Sequence, residues 1–68
     1  MIVKWTNLTS NESGYVRSVD YKRRYFINTY DITQAKNYKP GMAEKIIEKL
    51  IEYGEGDRNR FELIDPNK

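Results

Sequence analysis

Between Pro40 and Gly56 the chain carries a single apolar stripe at helical spacing, and this feature limits the fold more than any other. Met42, Ala43, Ile46, Ile47, Leu50, Ile51 and Tyr53 recur at intervals of three and four residues, the period of a helix with one face turned to a core. At ~100° per residue these positions cover roughly half of the helix circumference. Glu44, Lys45, Glu48, Lys49 and Glu52 fill the other half. Pro40 suits the first helical turn, where its missing N–H is not needed, and Gly54 suits the left-handed residue that ends a helix. An isolated helix of this length is marginal in water. The rest of the chain must therefore supply an apolar surface.

That surface reads as a small sheet. Met1 to about Leu8 is a predicted strand, with Ile2 and Val3 β-branched and Val3 and Trp5 on one side of the alternation. Thr9 to Gly14 is polar and turn-like. Tyr15 to Val19 is a second strand, and Arg24 to about Tyr30 a third and stronger one. Between them Asp20-Tyr21-Lys22-Arg23 lacks the Gly or Asn that tight hairpins prefer, so a four-residue loop is expected. Asp31 is a predicted N-cap with Gln34 as capping-box partner, opening a short helix with Ile32, Ala35 and Tyr38 on one face. Lys39-Pro40-Gly41 breaks that helix. After the long helix, Glu55 to Asn59 reads as a polar loop and Arg60 to Ile64 as a last strand.

The expected class is α+β, in the order β-β-β-α-α-β. A three-stranded antiparallel meander is followed by a short and a long helix on one sheet face. The final strand is expected to enter parallel to the first or third strand by a right-handed crossover, with an inner position beside the first strand favoured. No linker, repeat or low-complexity segment divides residues 1–68, so a single domain is expected.

A chain of 68 residues sits near the lower limit for folding alone. It has no Cys and no His, which rules out disulfides and the usual zinc sites. Aromatic packing or self-association has to compensate, and six Tyr, two Phe and one Trp make both plausible. Without His or Cys, acid–base work would fall to carboxylates and nucleophilic work to Ser, Thr or Lys. The row Glu44, Glu48, Glu52 cannot close around one ion, because each turn adds ~5.4 Å. No catalytic residue, metal site or cofactor is expected. The segment Met1 to Trp5 has no long apolar run, so neither a signal peptide nor a membrane span is expected, and the absence of Cys fits a reducing cytosol, the expected location.

The net charge of +2 is unevenly spread. Residues 15–39 hold six basic against two acidic side chains, residues 40–68 five against seven. The basic half is also aromatic: Tyr15, Arg17, Tyr21, Lys22, Arg23, Arg24, Tyr25 and Tyr30. Such a band suits a protein interface, where Tyr and Arg dominate. It also suits single-stranded nucleic acid, whose bases stack on rings while cations meet phosphates. The plain alternative is that alternate Tyr residues fill the core and Lys22-Arg23-Arg24 caps a hairpin in water. The candidate partner-binding set is Tyr15, Arg17, Tyr21, Lys22, Arg23, Arg24 and Tyr25.

From about residue 25 to residue 64 the chain resembles a set of short phage and prophage proteins of Gram-positive bacteria. The shared pattern is a Tyr-Phe strand, Asp31-Ile32-x-x-Ala35-Lys36-x-Tyr38, Ala43-Glu44-Lys45-Ile46-Ile47 and a final Phe61-Glu62-Leu63-Ile64. The resemblance transfers no catalytic or binding residues. It implies a protein that binds and blocks a host protein, defence nucleases included. The functional expectation is therefore a small non-catalytic binding protein that modulates or inhibits a host protein. A nucleic-acid-binding module comes second and a structural or assembly subunit third. The third strand places apolar side chains on both faces, so a homodimer through the open sheet face or a strand edge is also expected.

Overall fold

The computed structural model describes residues 1–67. Strands β1 (Ile2–Asn7), β2 (Ser13–Asp20), β3 (Tyr25–Thr29) and β4 (Asn59–Ile64) form one antiparallel sheet in the order β3-β2-β1-β4, and helix α1 spans Pro40–Glu52. The α+β class and the meander are as the sequence implies. The helical content and the placing of the last strand differ from expectation.

Helix α1 buries Ala43, Ile46 and Leu50, half-buries Ile47 and Tyr53, and leaves Met42 and Ile51 about half exposed. The expected seven-residue face is thus too wide. At ~100° per residue, Met42 and Ile51 fall on opposite flanks, ~80–100° from Leu50, beyond the line of contact with the sheet. The helix ends at Glu52, short of Gly56. Gly54 adopts φ +93°, the left-handed stop that its position predicts. Glu55–Asp57 then forms a 3-10 turn in place of the expected polar loop.

The predicted short helix is only a 3-10 turn, Ile32–Gln34, with no buried residue. Asp31 caps it as expected, accepting from Thr33 N at 2.9 Å. The same carboxylate accepts from the Thr33 hydroxyl at 2.7 Å, and Asp31 N–H donates to Thr29 Oγ1 at 3.1 Å instead of to the expected Gln34 side chain. The turn stops because the next residues are held extended. Lys36 N–H donates to Val16 O at 3.2 Å and Tyr38 N–H donates to Met1 O at 2.7 Å. β1 and β2 pair only from Lys4 and Tyr15 to Thr6 and Ser13, so this segment wedges between them where the ladder opens. Tyr38 is buried there, while Ile32 stays exposed.

β4 pairs with β1, as favoured, but antiparallel and at the sheet edge. Its register runs from Ile2 opposite Ile64 to Asn7 opposite Asn59. The wedge explains the reversal. It carries the chain back to the Met1 end before α1 begins. Thirteen helical residues span ~20 Å, about the length of a six-residue strand. The helix therefore delivers the chain to the Asn7 end, and β4 returns antiparallel.

The core joins Val3, Trp5, Val16, Tyr38, Ala43, Ile46 and Leu50, flanked by Val19, Phe26, Phe61 and Leu63. A bulge between Val16 and Ser18 leaves Arg17 without a partner on β3. Bulges bend and twist a strand, and here the far hairpin curls over the sheet. Phe26 on β3 reaches Phe61 on β4, ring centroids 5.8 Å apart, although three strand spacings would separate them by ~14 Å in a flat sheet.

Candidate functional site

The basic-aromatic residues gather only in part. The β2–β3 connection is the expected four-residue loop, Tyr21 to Arg24. Asp20 closes it twice: its Oδ1 accepts from Arg23 N at 3.0 Å and its carbonyl from Arg24 N at 2.9 Å. Turn chemistry of this kind is why Asp begins such loops. Arg23 Nε also stands 4.0 Å from Asp20 Oδ2 at an exposed position, a contact of little energetic weight in water.

Arg24 closes the loop at φ +59°. This is the left-handed region, where Gly or Asn is the usual occupant and a long side chain costs roughly 1–2 kcal/mol. The turn thus projects Tyr21, Lys22, Arg23 and Arg24 into solvent, and Tyr25 follows at 37 % exposure. These five form one contiguous cationic and aromatic tip.

Tyr15 and Arg17 lie apart from it. Tyr15 is half-buried near the other end of β2, between Lys4 and Thr29 in the cross-strand register. Asp20 lies five positions further along the strand, ~16 Å of rise. Arg17 is the exposed bulge residue. Tyr30 turns its ring edge to Trp5, centroids 5.8 Å apart, yet stays mostly exposed.

The electrostatics under the tip involve two phenols. Burial pushes the Tyr38 phenol above its ordinary value, and the nearby Tyr21 phenol adds to the effect. Lys36 Nζ lies 5.4 Å from the centroid of the Tyr38 ring, within cation–π range. The Asp31 carboxyl is held below its usual value by the Thr33 hydroxyl and Thr33 N–H.

Sequence reading missed three surface features. Ile27, 42 % exposed on edge strand β3, extends the apolar part of the tip. A cleft of about 300 Å³ lies between Trp5, Phe26, Asn28, Glu55 and Arg58. A larger depression of about 500 Å³ lies beside β4, lined by Leu8, Ile47, Ile51 and Phe61. The two depressions have no periodic signal, because each is lined from separate elements.

The outward row of α1, Glu44, Lys45, Glu48, Lys49 and Glu52, is exposed throughout. Among the described residues, no group of three or more carboxylates is placed to hold a metal ion, and no helix is long and apolar enough to cross a membrane. Comparison with protein-family models, with curated proteins and with solved structures finds no match.

Proposed function

We propose that this chain is a non-catalytic, phage-encoded protein that acts in the host cytoplasm by binding a host protein and modulating or inhibiting it, a defence nuclease being one class of target. The phage context rests on the resemblance over residues 25–64. The contact surface is the tip Tyr21–Tyr25, and the observation that carries it is Arg24 at φ +59°. A side chain kept at a position where Gly would relax the backbone is a mark of a functional site. Arg and Tyr are also the residue types that anchor interfaces. The outward face of α1 is set aside because mixed Glu and Lys are depleted at interface cores.

The test is capture of host partners with the wild-type chain and with an Arg23→Glu/Arg24→Glu variant, with and without nuclease treatment. A protein retained by the wild type, lost in the variant and indifferent to nuclease supports this reading. Retention that disappears with nuclease and falls steeply with salt assigns the tip to nucleic acid instead, since phosphate contacts release counterions. Equal retention by both chains moves the site away from the tip.

A further inference from the structure

We infer that the free edge of β4 is built to pair with the β4 of a second copy of this chain, about a two-fold axis at Phe61. Leu8 N–H donates to Arg58 O at 2.8 Å, in the same register as the β1–β4 ladder. In an antiparallel ladder, residues that exchange hydrogen bonds alternate with those that do not. Arg58, Arg60, Glu62 and Ile64 therefore direct their backbone groups to β1. Asn59, Phe61 and Leu63 direct theirs outward from the edge.

Symmetry leaves few registers. A two-fold antiparallel pairing must join outward residues to outward residues. Centred on Phe61, it sets Phe61 opposite its own copy and Asn59 opposite Leu63, both as hydrogen-bonded pairs. Arg60 then faces Glu62 of the second copy, twice, at the closer non-bonded positions where opposite charges interact best. Shifting the centre to Glu62 sets Glu62 against Glu62, and shifting it to Arg60 sets Arg60 against Arg60. Like charges directly opposite are destabilising. Of these three registers, the one centred on Phe61 alone sets opposite charges against each other.

Within one copy, Arg60 Nη2 lies 3.4 Å from Glu62 Oε1, both side chains about half exposed or more. Pairing lets each exchange this partner for the second copy's without losing an ion pair. The apolar depression beside the edge points the same way. Phe61, Ile47 and Ile51 line it, with Ile51 55 % and Leu8 60 % exposed. A two-fold axis at Phe61, perpendicular to the continued sheet, sets the two depressions side by side on the same face.

The experiment is sedimentation of the full chain and of two single variants, Arg60→Glu and Glu62→Arg, alone and mixed. The wild type should be a dimer. Each variant alone places like charges opposite each other at both sites, and its dimer should weaken roughly tenfold or more. An equimolar mixture restores both opposite pairs between the two variants and should form a heterodimer of near wild-type strength. Restoration on mixing depends on contact between chains, so a loss of the internal Arg60–Glu62 pair cannot mimic it. Circular dichroism establishes that each variant is folded, and the mixture still decides the matter if one is weakened. A monomeric wild type overturns the proposal. So does a dimer indifferent to both variants, which would place the contact elsewhere, at the β3 edge for example. A mixture that stays monomeric overturns it as well.

Discussion

Gly14 stands directly opposite Trp5 in the β1–β2 ladder, and a Cβ at that position would lie 2.7 Å from the indole Cζ2 and 2.9 Å from Thr29 O. The missing side chain is what lets the indole lie across β2 to meet Tyr30 and Phe26, at centroid separations of 5.8 and 6.4 Å. Aromatic pairs of this kind contribute ~0.5–1.5 kcal/mol each beyond area burial. One cost accompanies them: Trp5 Nε1 is buried without a hydrogen-bond partner. An aromatic laid over a strand glycine also pins register, because a one-residue slip would put another residue's Cβ under the ring.

Gly14→Ala is therefore expected to destabilise the domain by ~1–3 kcal/mol, the usual range for overpacking. Gly41→Ala is the control. Gly41 lies in the first turn of α1, and a methyl group there would meet nothing within 4 Å, so Ala should stabilise by ~0.4–1 kcal/mol. Urea titrations followed by the fluorescence of the single Trp measure both. Similar midpoints for the two variants would refute the role given to Gly14.

Leu50→Ala and Ile46→Ala remove side chains that are 0 % and 2 % exposed. Each should cost ~2–5 kcal/mol, a large part of the stability of so small a domain. Glu48→Ala should be near silent in a thermal melt. Met42→Ala should also cost little, since Met42 is 49 % exposed, although the helical period alone puts it with the core. A Met42 variant as damaged as Leu50→Ala would contradict the observed packing.

Tyr38 predicts an alkaline loss of stability. Its phenol titrates above the ordinary value of 10.0, first because it is buried and second because of Tyr21. The unfolded chain releases this proton at lower pH than the folded one. Over that interval the folded state binds more protons, and stability falls as pH rises. The contribution is fully present below pH ~10 and is lost as pH climbs through the folded value. Melting temperatures should decline above that point, and Tyr38→Phe should flatten the decline. An unchanged alkaline slope in the Phe variant would remove Tyr38 as its source.

Arg24→Gly separates strain from function. Relief of the left-handed backbone should stabilise the fold by ~0.5–1 kcal/mol, raising the melting temperature, while partner binding weakens. A variant that is both more stable and binds fully would show that the side chain is dispensable. Arg23→Glu/Arg24→Glu should leave the melting temperature nearly unchanged, because both positions are exposed and their contacts are made in solvent.

Much of this molecule is legible in its linear pattern. The helical repeat from Met42 to Tyr53, the β-branched and aromatic runs, the Asp31 cap and the Gly54 stop are local properties of backbone and side chain. Each carries its signal within a few residues, so the four strands, the long helix and their order along the chain follow from the sequence. The exposed tip is legible for the same reason, since charges at a hairpin turn have nowhere else to go.

What the sequence could not determine depends on contacts between distant residues. The short helix after Asp31 gives way to an extended wedge because Val16 O and Met1 O accept from Lys36 and Tyr38, and no local propensity encodes those acceptors. The direction of β4 follows from that wedge, which decides at which end of the sheet α1 begins. Tyr15 separates from the tip because ~16 Å of strand intervenes, and Arg17 because it is the unpaired residue of the bulge. Gly14 reads in isolation as the close of a polar turn. Only when β1 lies beside β2 does it become the space that Trp5 occupies. Local conformation is set by each residue and its neighbours, whereas register, wedge and curl are set by hydrogen bonds and packing between segments that meet only in the folded chain.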